Sequence, residues 1–124
     1  MANEAKPLFR PGASVTAAVT ADVTGKTFVG VSATRGTDGL VKVAPATAAA
    51  KPFGVASYDA ATGKTVTVLR GGIVPVACGG VVAAGAQVEI GTGGKVVTLA
   101  SGVAVGQALE TGANNSDVLI ALDI

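Results

Sequence analysis

Hydrophobic and polar residues alternate along most of the chain after residue 13. A period of two is typical of half-buried β-strands, because successive side chains of a strand point to opposite faces of the sheet. The alternation predicts strands at residues 14–20, 26–33, 40–44, 52–58, 64–70, 72–77, 86–90, 95–100, 103–110 and 117–124. Short sequences rich in Gly, Thr, Asn and Asp separate these strands and predict tight turns.

No segment has the periodicity of an amphipathic helix. Residues 44–51 contain enough alanine for one or two helical turns, but Pro45 and Pro52 bracket them, and a long surface loop fits them as well. A chain of 124 residues is the size of one domain. Short strands throughout a single domain predict an all-β fold, either a small β-sandwich or a β-barrel-like fold.

The N-terminal residues 1–13 differ in character from the rest of the chain. Pro7 and Pro11 frame a short apolar and basic stretch. Proline lacks an amide donor and favours an extended conformation in the residue before it. We therefore predict an extended N-terminal arm at residues 1–13, followed by a β-rich domain at residues 14–124. Such an arm is either terminal disorder or a segment that becomes ordered on a partner.

Residues 71–88 contain no charged side chain. A single membrane-spanning helix needs about 20 mainly apolar residues, and the glycines of this stretch together with Pro75 would break it. The strand at residues 72–77 is instead expected at a sheet edge or beside a bulge, because proline cannot donate to a ladder. No signal peptide is visible at the N-terminus, so we expect synthesis in a cytoplasm and no membrane partner.

Charged residues make up 14% of the chain, whereas about a quarter is usual for a soluble domain. So little charge cannot cover the surface of a protein that acts alone, and extensive contact with other protein chains is the expected consequence. The net charge of +1 and the aromatic content of 3% argue against nucleic acid as a partner.

The chain contains no histidine. This absence removes the Ser-His-Asp and Cys-His arrangements, and we predict no enzyme activity, no catalytic residue, no cofactor and no metal site. The eight acidic residues occur singly, mostly beside turn glycines, where local hydrogen bonds are their usual role. Carboxylates that pair only in space stay possible. The single cysteine, Cys78, is expected to be a small buried apolar side chain.

Residues 53–68 and 105–120 share a weak similarity. In each segment a glycine, Gly54 or Gly106, is followed by an acid, a turn of small residues and a strand. The shared pattern predicts two related hairpins, in which the glycine lets two backbones approach closely.

The order of these segments resembles that of the capsid decoration proteins of tailed bacteriophages, also called cement or head-stabilising proteins. The resemblance is carried by GKTFVGVSA, TDGLVKVAPA, KPFGVASYDAATGKTVTVLRGGIVPV, GAQVEIGTGGKVV, GVAVGQALETG and DVLIALDI. Its most specific parts are residues 53–76 and 105–122, and it covers nearly the whole chain after the arm.

The resemblance implies a small, β-tulip-like domain that stabilises an icosahedral head. Members of this family bind the outer capsid surface, commonly as homotrimers, and clamp neighbouring subunits of the major capsid protein. The expected partners are therefore the major capsid protein and further copies of this chain, and the expected location is the outer surface of a virion assembled in a host cytoplasm.

Two sets of residues are the candidate sites. The arm is expected to bind the capsid, since phenylalanine supplies apolar contact and arginine a hydrogen-bonding fork. Its candidate residues are Pro7, Leu8, Phe9 and Arg10. The strand at residues 72–77 is expected to serve both the core and an interface between subunits. Its candidate interface residues are Ile73, Val74, Pro75 and Val76.

Other function classes stay open. The same composition would serve another virion component, such as a head fibre base or a tail-tube subunit. A glycan-binding β-sandwich module needs aromatic platforms, and this chain has no tryptophan. Its aromatic side chains are Phe9, Phe28, Phe53 and Tyr58.

Overall fold

The computed structural model describes residues 12–124, and ten strands lie within that range. The strands are β1 (Ser14–Val19), β2 (Phe28–Ala33), β3 (Val41–Pro45), β4 (Gly54–Ala56), β5 (Thr65–Leu69), β6 (Ile73–Ala77), β7 (Gln87–Ile90), β8 (Val96–Thr98), β9 (Gly106–Ala108) and β10 (Asp117–Leu122). A three-residue 3-10 helix, Thr92–Gly94, is the one helical element of the described residues. The predicted all-β fold is confirmed, and each predicted strand overlaps an observed one.

Residues 44–51, for which a short helix and a loop were both possible, leave strand β3 and form a turn. The Ala50 amide donates to the Thr47 carbonyl over 3.3 Å, and Ala49 adopts a left-handed φ of 64°. The observed strand β1 begins at Ser14, where the β-rich part of the chain was predicted to begin.

Strands β1–β5 close into a barrel, here called the first barrel, with the order β1-β3-β2-β4-β5. Strand β1 closes it by pairing antiparallel with β5 and parallel with β3. Alternation along the strands turns one side chain in two into the barrel. Its core consists of Ala17, Val19, Val23, Val29, Val43, Ala56, Ala60, Val66 and Val68.

Strands β6–β10 form a second sheet with the order β6-β10-β9-β7-β8. Strand β6 lies at its end, so the predicted edge position of Pro75 is confirmed. A single parallel bridge between Cys78 and Val96 links the two ends of this sheet. Apart from this bridge, β6 and β8 are not paired, and the Ala77 amide at the end of β6 donates instead to the Lys26 carbonyl of the first barrel over 2.8 Å.

The second sheet repeats the connectivity of the first barrel strand by strand. In both halves the last strand pairs with the first and the fourth, and the second strand pairs with the third and the fourth. The hydrogen bonds repeat as well. Val23 and Ala60 exchange two backbone hydrogen bonds of 2.9 and 3.1 Å, and Val82 and Gly112 exchange two of 2.9 and 2.8 Å. The chain thus contains two copies of one five-stranded unit.

The two halves also share backbone conformation at their turns. A left-handed φ occurs at Lys26 (65°) and at the matching Gly85 (83°), and again at Gly63 (87°) and the matching Asn115 (65°). Glycine adopts this conformation without strain, whereas a side chain makes it costly. The turn geometry is therefore kept even where the residue type is not.

The predicted pair of hairpins is confirmed as β4–β5 and β9–β10. A Cβ atom on Gly54 would lie 2.6 Å from the Leu69 carbonyl oxygen, and one on Gly106 would collide with the carbonyl oxygen of Ala121. Both glycines therefore allow the close backbone approach that the sequence similarity predicted.

The two halves are joined by shared strands. Phe28 of β2 and Val55 of β4 pack into the core of the second sheet, while their neighbours Val29 and Ala56 pack into the first barrel. The turn at Gly94 presses against this junction, since a Cβ atom there would lie 2.6 Å from the Phe28 carbonyl oxygen. One set of strands thus supports both cores, which makes the described residues a single packed body.

Candidate functional site

The predicted capsid-binding residues Pro7, Leu8, Phe9 and Arg10 lie outside the described residues, so their role stays a prediction. The structure shows where the arm joins the fold. The Ala13 carbonyl accepts a hydrogen bond of 2.8 Å from the Arg70 amide. Arg70 lies between β5 and β6, so the arm starts beside the connection that leads into the second sheet.

Strand β6 presents its side chains alternately to the core and to the surface. Val74 and Val76 are buried, whereas Ile73 and Pro75 are exposed. Of the four predicted interface residues, two therefore hold the strand against the core and two are free to contact another molecule. The interface itself stays a prediction.

The exposed side of β6 continues across β10 and β9. Pro75 lies directly opposite Leu119, and Ile73 opposite Ala121. The Leu109 amide donates to the Leu119 carbonyl over 2.9 Å, which extends the row to the residue after β9. Cross-strand neighbours on one face lie within side-chain contact. We call this surface the outer face, and it consists of Ile73, Pro75, Leu109, Leu119 and Ala121.

The outer face is apolar and open to solvent. Ile73 is 61% exposed, Leu109 45% and Leu119 40%. Sequence reasoning missed Leu109 and Leu119, although the alternation in DVLIAL already separates Leu119 from the core residues Val118 and Ile120. That pattern says which residues lie opposite the core, but only the strand pairing brings them beside Ile73 and Pro75.

Polar groups at the border of the outer face are engaged within the chain. Asp117 accepts a 2.6 Å hydrogen bond and ion pair from Lys26, and Glu110 accepts a hydrogen bond from the Leu119 amide over 3.2 Å. The Gln107 side chain donates to the Gly85 carbonyl over 3.0 Å. A cavity of about 320 Å³ adjoins the face; its lining includes Gln87, Ala104, Gln107, Ala121 and Asp123.

Two carboxylates meet at a shallow cavity of about 260 Å³ in the first barrel. Asp22 accepts hydrogen bonds from the Thr62 amide (2.8 Å) and hydroxyl (2.9 Å), and these bonds lower the pKa of Asp22. Asp59 accepts a hydrogen bond from the Gly25 amide over 2.7 Å. Both acids therefore tie turns together. Residues 12–124 contain no cluster of three or more His, Cys, Asp or Glu side chains placed to hold a metal ion.

Cys78 is a free thiol, buried in the core of the second sheet, as the sequence predicted. Desolvation, with a smaller contribution from the Asp117 charge, raises the pKa of this thiol. The neutral thiol is therefore the stable form, which suits a packing role.

Glu89 is a buried acid that sequence reasoning did not single out. Its Oε1 atom accepts a hydrogen bond of 2.9 Å from the Ala100 amide. Its Oε2 atom is buried, has no hydrogen-bond partner among the described residues and lies over Gly102. The loop before β9 and the loop after β3 meet here, since the Val103 amide donates to the Ala49 carbonyl over 3.1 Å. The Glu89 carboxylate therefore holds the loop before β9 through Ala100, at the point where that loop contacts the loop after β3.

No helix among residues 12–124 has the length and apolar character needed to cross a membrane.

Comparison with known proteins identifies the family. The family model described as phage cement protein matches residues 9–124. The fold is similar to a solved structure of the head fibre gp8.5 N base of bacteriophage phi29, with a TM-score of 0.76 and 21% sequence identity over 89% of this chain and 92% of that one. No curated protein sequence matches the chain. Because the family match spans almost the whole sequence, this chain belongs to the phage cement proteins, a family of structural virion proteins.

Proposed function

We propose that this protein decorates and stabilises an icosahedral phage capsid. It binds the outer surface of the head as a homotrimer, clamps neighbouring subunits of the major capsid protein, and catalyses no reaction. It is made in the host cytoplasm and acts on the virion surface. The observation that carries the proposal is the family match over residues 9–124.

The composition and the packing support a role as a clamp. With 14% charged residues and an open apolar outer face, the protein is suited to lie between other protein surfaces. Phe28 and Val55 belong to strands of the first barrel and pack into the core of the second sheet, so the two halves form one packed body. A rigid body of this kind suits a protein that holds two capsid subunits together.

The arm supplies the capsid contact in this proposal, through Pro7, Leu8, Phe9 and Arg10. Its base is firmly held. Arg70, which donates its amide to Ala13, also donates its Nε hydrogen to the Phe53 carbonyl over 2.9 Å. The Arg70 guanidinium lies 4.6 Å from the centre of the Phe53 ring, a favourable cation–π distance. An arm on such a base leaves the fold from a fixed point.

Contacts between subunits are proposed at β6. Ile73 and Pro75 are exposed and provide the contact, while the buried Val74 and Val76 keep the strand in place. Pro75 also has no amide hydrogen, which discourages a neighbouring strand from pairing there.

Co-sedimentation with capsids tests the proposal. Purified protein is mixed with expanded capsids that lack it, and bound copies are counted per capsid subunit. Saturable binding near one copy per capsid subunit, with a rise in the temperature at which capsids open, is the expected result. A well-folded protein that neither binds capsids nor changes their stability would contradict it.

A head fibre base is the second candidate, favoured by the structural similarity to the head fibre gp8.5 N base. The same experiment separates the two roles by stoichiometry. A fibre base would saturate at fewer copies than a cement protein that occupies every equivalent position. Electron microscopy of decorated capsids would then show isolated projections in place of a continuous surface layer.

A further inference from the structure

The internal repeat provides a comparison for the outer face, because the first barrel has a surface at the equivalent position of the fold. In the first barrel, Thr16 lies opposite Thr67, as Pro75 lies opposite Leu119 in the second sheet. The Ser57 amide donates to the Thr67 carbonyl over 3.0 Å, and in the same way the Leu109 amide donates to the Leu119 carbonyl. The matching pairs are Ser14 and Ile73, Thr16 and Pro75, Ser57 and Leu109, and Thr67 and Leu119.

These four positions are polar in the first barrel and apolar in the second sheet, whereas the fifth residue of the outer face, Ala121, matches the apolar Leu69. The register of β1 with β5 matches that of β6 with β10, and the amide hydrogen bond onto the carbonyl of Thr67 or Leu119 is present in both, so this part of the fold does not require apolar side chains there. The Ser57 hydroxyl even donates to the Thr67 carbonyl, a bond that leucine at position 109 cannot make. Three exposed residues of the outer face are therefore aliphatic where the first barrel has a hydroxyl. An exposed aliphatic side chain gains free energy only when another apolar surface covers it.

We propose that the outer face is the contact surface between copies of this chain, with Leu109 and Leu119 at its centre and Ile73 at its end. This inference rests on the homotrimer of the proposed function and names the surface that holds it together. It extends the contact from the edge strand β6 to β10 and the residue after β9.

The charge distribution favours a second copy as the occupant. The five residues of the outer face carry no charge. Of the two acids at its border, Asp117 is paired with Lys26 and Glu110 accepts a hydrogen bond from the Leu119 amide. The face itself therefore offers little for a strongly charged partner to recognise. A net charge of +1 means that two copies hardly repel each other. An apolar patch on a nearly neutral chain favours self-association.

The edge strand β6 is poorly suited to pair with a strand of another copy, which favours contact through the outer face instead. Pro75 has no amide hydrogen, and the Ala77 amide is already bonded to Lys26. A neighbouring strand would therefore find few donors on β6. The three large aliphatic side chains of the face are 40–61% exposed, and an exposed apolar patch marks an interaction site on many proteins. A stable complex usually buries about 800 Å² per partner, so the proposed interface includes the polar border around these residues.

The test replaces the outer face by its counterpart from the first barrel. The triple variant Ile73→Ser, Leu109→Ser, Leu119→Thr installs side chains that the same backbone already carries at Ser14, Ser57 and Thr67. The matched control is Val31→Thr, which changes a valine of β2 that is 62% exposed. Analytical ultracentrifugation across the micromolar range measures the mass, and circular dichroism verifies the fold.

The wild type and the control are expected to sediment as the same oligomer. The triple variant is expected to sediment as a single chain, with a dissociation constant raised at least about 100-fold by the loss of three apolar contacts. A wild type that is monomeric, or a folded triple variant with the wild-type mass, would overturn the proposal.

A second measurement on the unaltered protein covers the case of a variant that fails to fold. Hydroxyl-radical labelling is compared above and below the concentration at which the wild-type oligomer dissociates. Leu109 and Leu119 are expected to label several-fold more slowly in the oligomer, while Val31 labels equally in both. Equal labelling of the leucines would overturn the proposal.

Capsid co-sedimentation keeps this inference separate from the proposed capsid binding. A monomeric wild type that still saturates capsids would overturn the contact between copies and leave capsid binding standing. A wild type that forms the oligomer through the outer face but binds no capsid would overturn capsid binding and leave the contact between copies standing.

Discussion

Glu89 places a buried carboxylate against the loop before β9, where one oxygen is hydrogen-bonded and the other has no partner among the described residues. Burying a charged group without full hydrogen bonding is costly, whereas the bond to Ala100 stabilises the loop before β9. The same side chain therefore has one favourable and one unfavourable contribution, and they can be separated by substitution.

The substitution Glu89→Gln keeps an acceptor for the Ala100 amide and removes the buried charge. We expect the free energy of unfolding to be unchanged or higher than that of the wild type. Glu89→Ala removes the acceptor as well and is expected to lower it by about 1–3 kcal/mol. Urea denaturation of both variants measures the difference. If the glutamine variant is destabilised as much as the alanine variant, the charge itself is needed.

Asp22 links folding to pH through its bonds from Thr62. These bonds lower the pKa of Asp22 below the value near 3.9 that an unfolded chain has. A carboxyl with a lowered pKa stabilises the fold above the unfolded pKa, and this contribution is lost as the pH falls through the folded pKa. We therefore expect Asp22→Asn to lose less stability than the wild type on acidification below about pH 4.

Thermal unfolding between neutral and acidic pH measures this effect. Thr62→Val is the matched control, because it removes the hydroxyl donor and keeps the amide donor, which is the larger cause of the pKa shift. It should therefore keep most of the acid dependence of the wild type. Identical acid dependence of the wild type and Asp22→Asn would show that Asp22 does not link folding to pH.

Strand β6 combines a buried face and an exposed face within five residues. Val74→Asp places an unpaired charge in the core, and we expect it to lower the free energy of unfolding by about 2 kcal/mol or more. Ile73→Asp is the neighbouring control, since its side chain points to solvent within the single chain. Chemical denaturation under conditions where the protein is monomeric should separate them. Equal stability of the two variants would contradict the observed orientation of β6.

The strands and hairpins could be predicted from the sequence because their signals come from residues close together along the chain. Alternation of apolar and polar residues predicted the strands, and Gly54 and Gly106 predicted two related hairpins. The repeat of the whole five-stranded unit was not visible, because many of its matching positions differ in residue type and the identical ones are mostly alanine and valine, which recur throughout the chain. Val19 matches Cys78, and Lys26 matches Gly85. What the two halves share there is backbone conformation and hydrogen bonding, which the side chains do not report.

The outer face shows a second limit of reading a sequence. Ile73 and Pro75 could be proposed because they lie in one conspicuous uncharged stretch. Leu109 and Leu119 lie more than 30 residues further along the chain and join them only through the pairing of β6, β10 and β9. A surface assembled across strands depends on the strand order, and alternation within one strand does not determine that order.

At the scale of the whole molecule, the two proposed contacts start from the same region. The arm joins the fold beside Arg70, and the connection from Arg70 leads directly into Ile73 of the outer face. In the proposal, one contact holds copies of the chain together and the other holds them to the capsid. Because they use different residues, they can be removed independently.

Deleting residues 2–12 tests the arm while keeping Ala13, whose carbonyl accepts the Arg70 hydrogen bond. We expect the shortened protein to keep the wild-type fold and oligomeric mass, since the described packing begins with β1, and to bind capsids at least about ten-fold more weakly because its apolar and arginine contacts are lost. The double substitution Phe9→Ala, Arg10→Ala should reproduce most of this loss at unchanged length. Capsid occupancy that is unchanged after the deletion would show that the arm makes no contact with the capsid, and would leave the binding to the folded part of the chain.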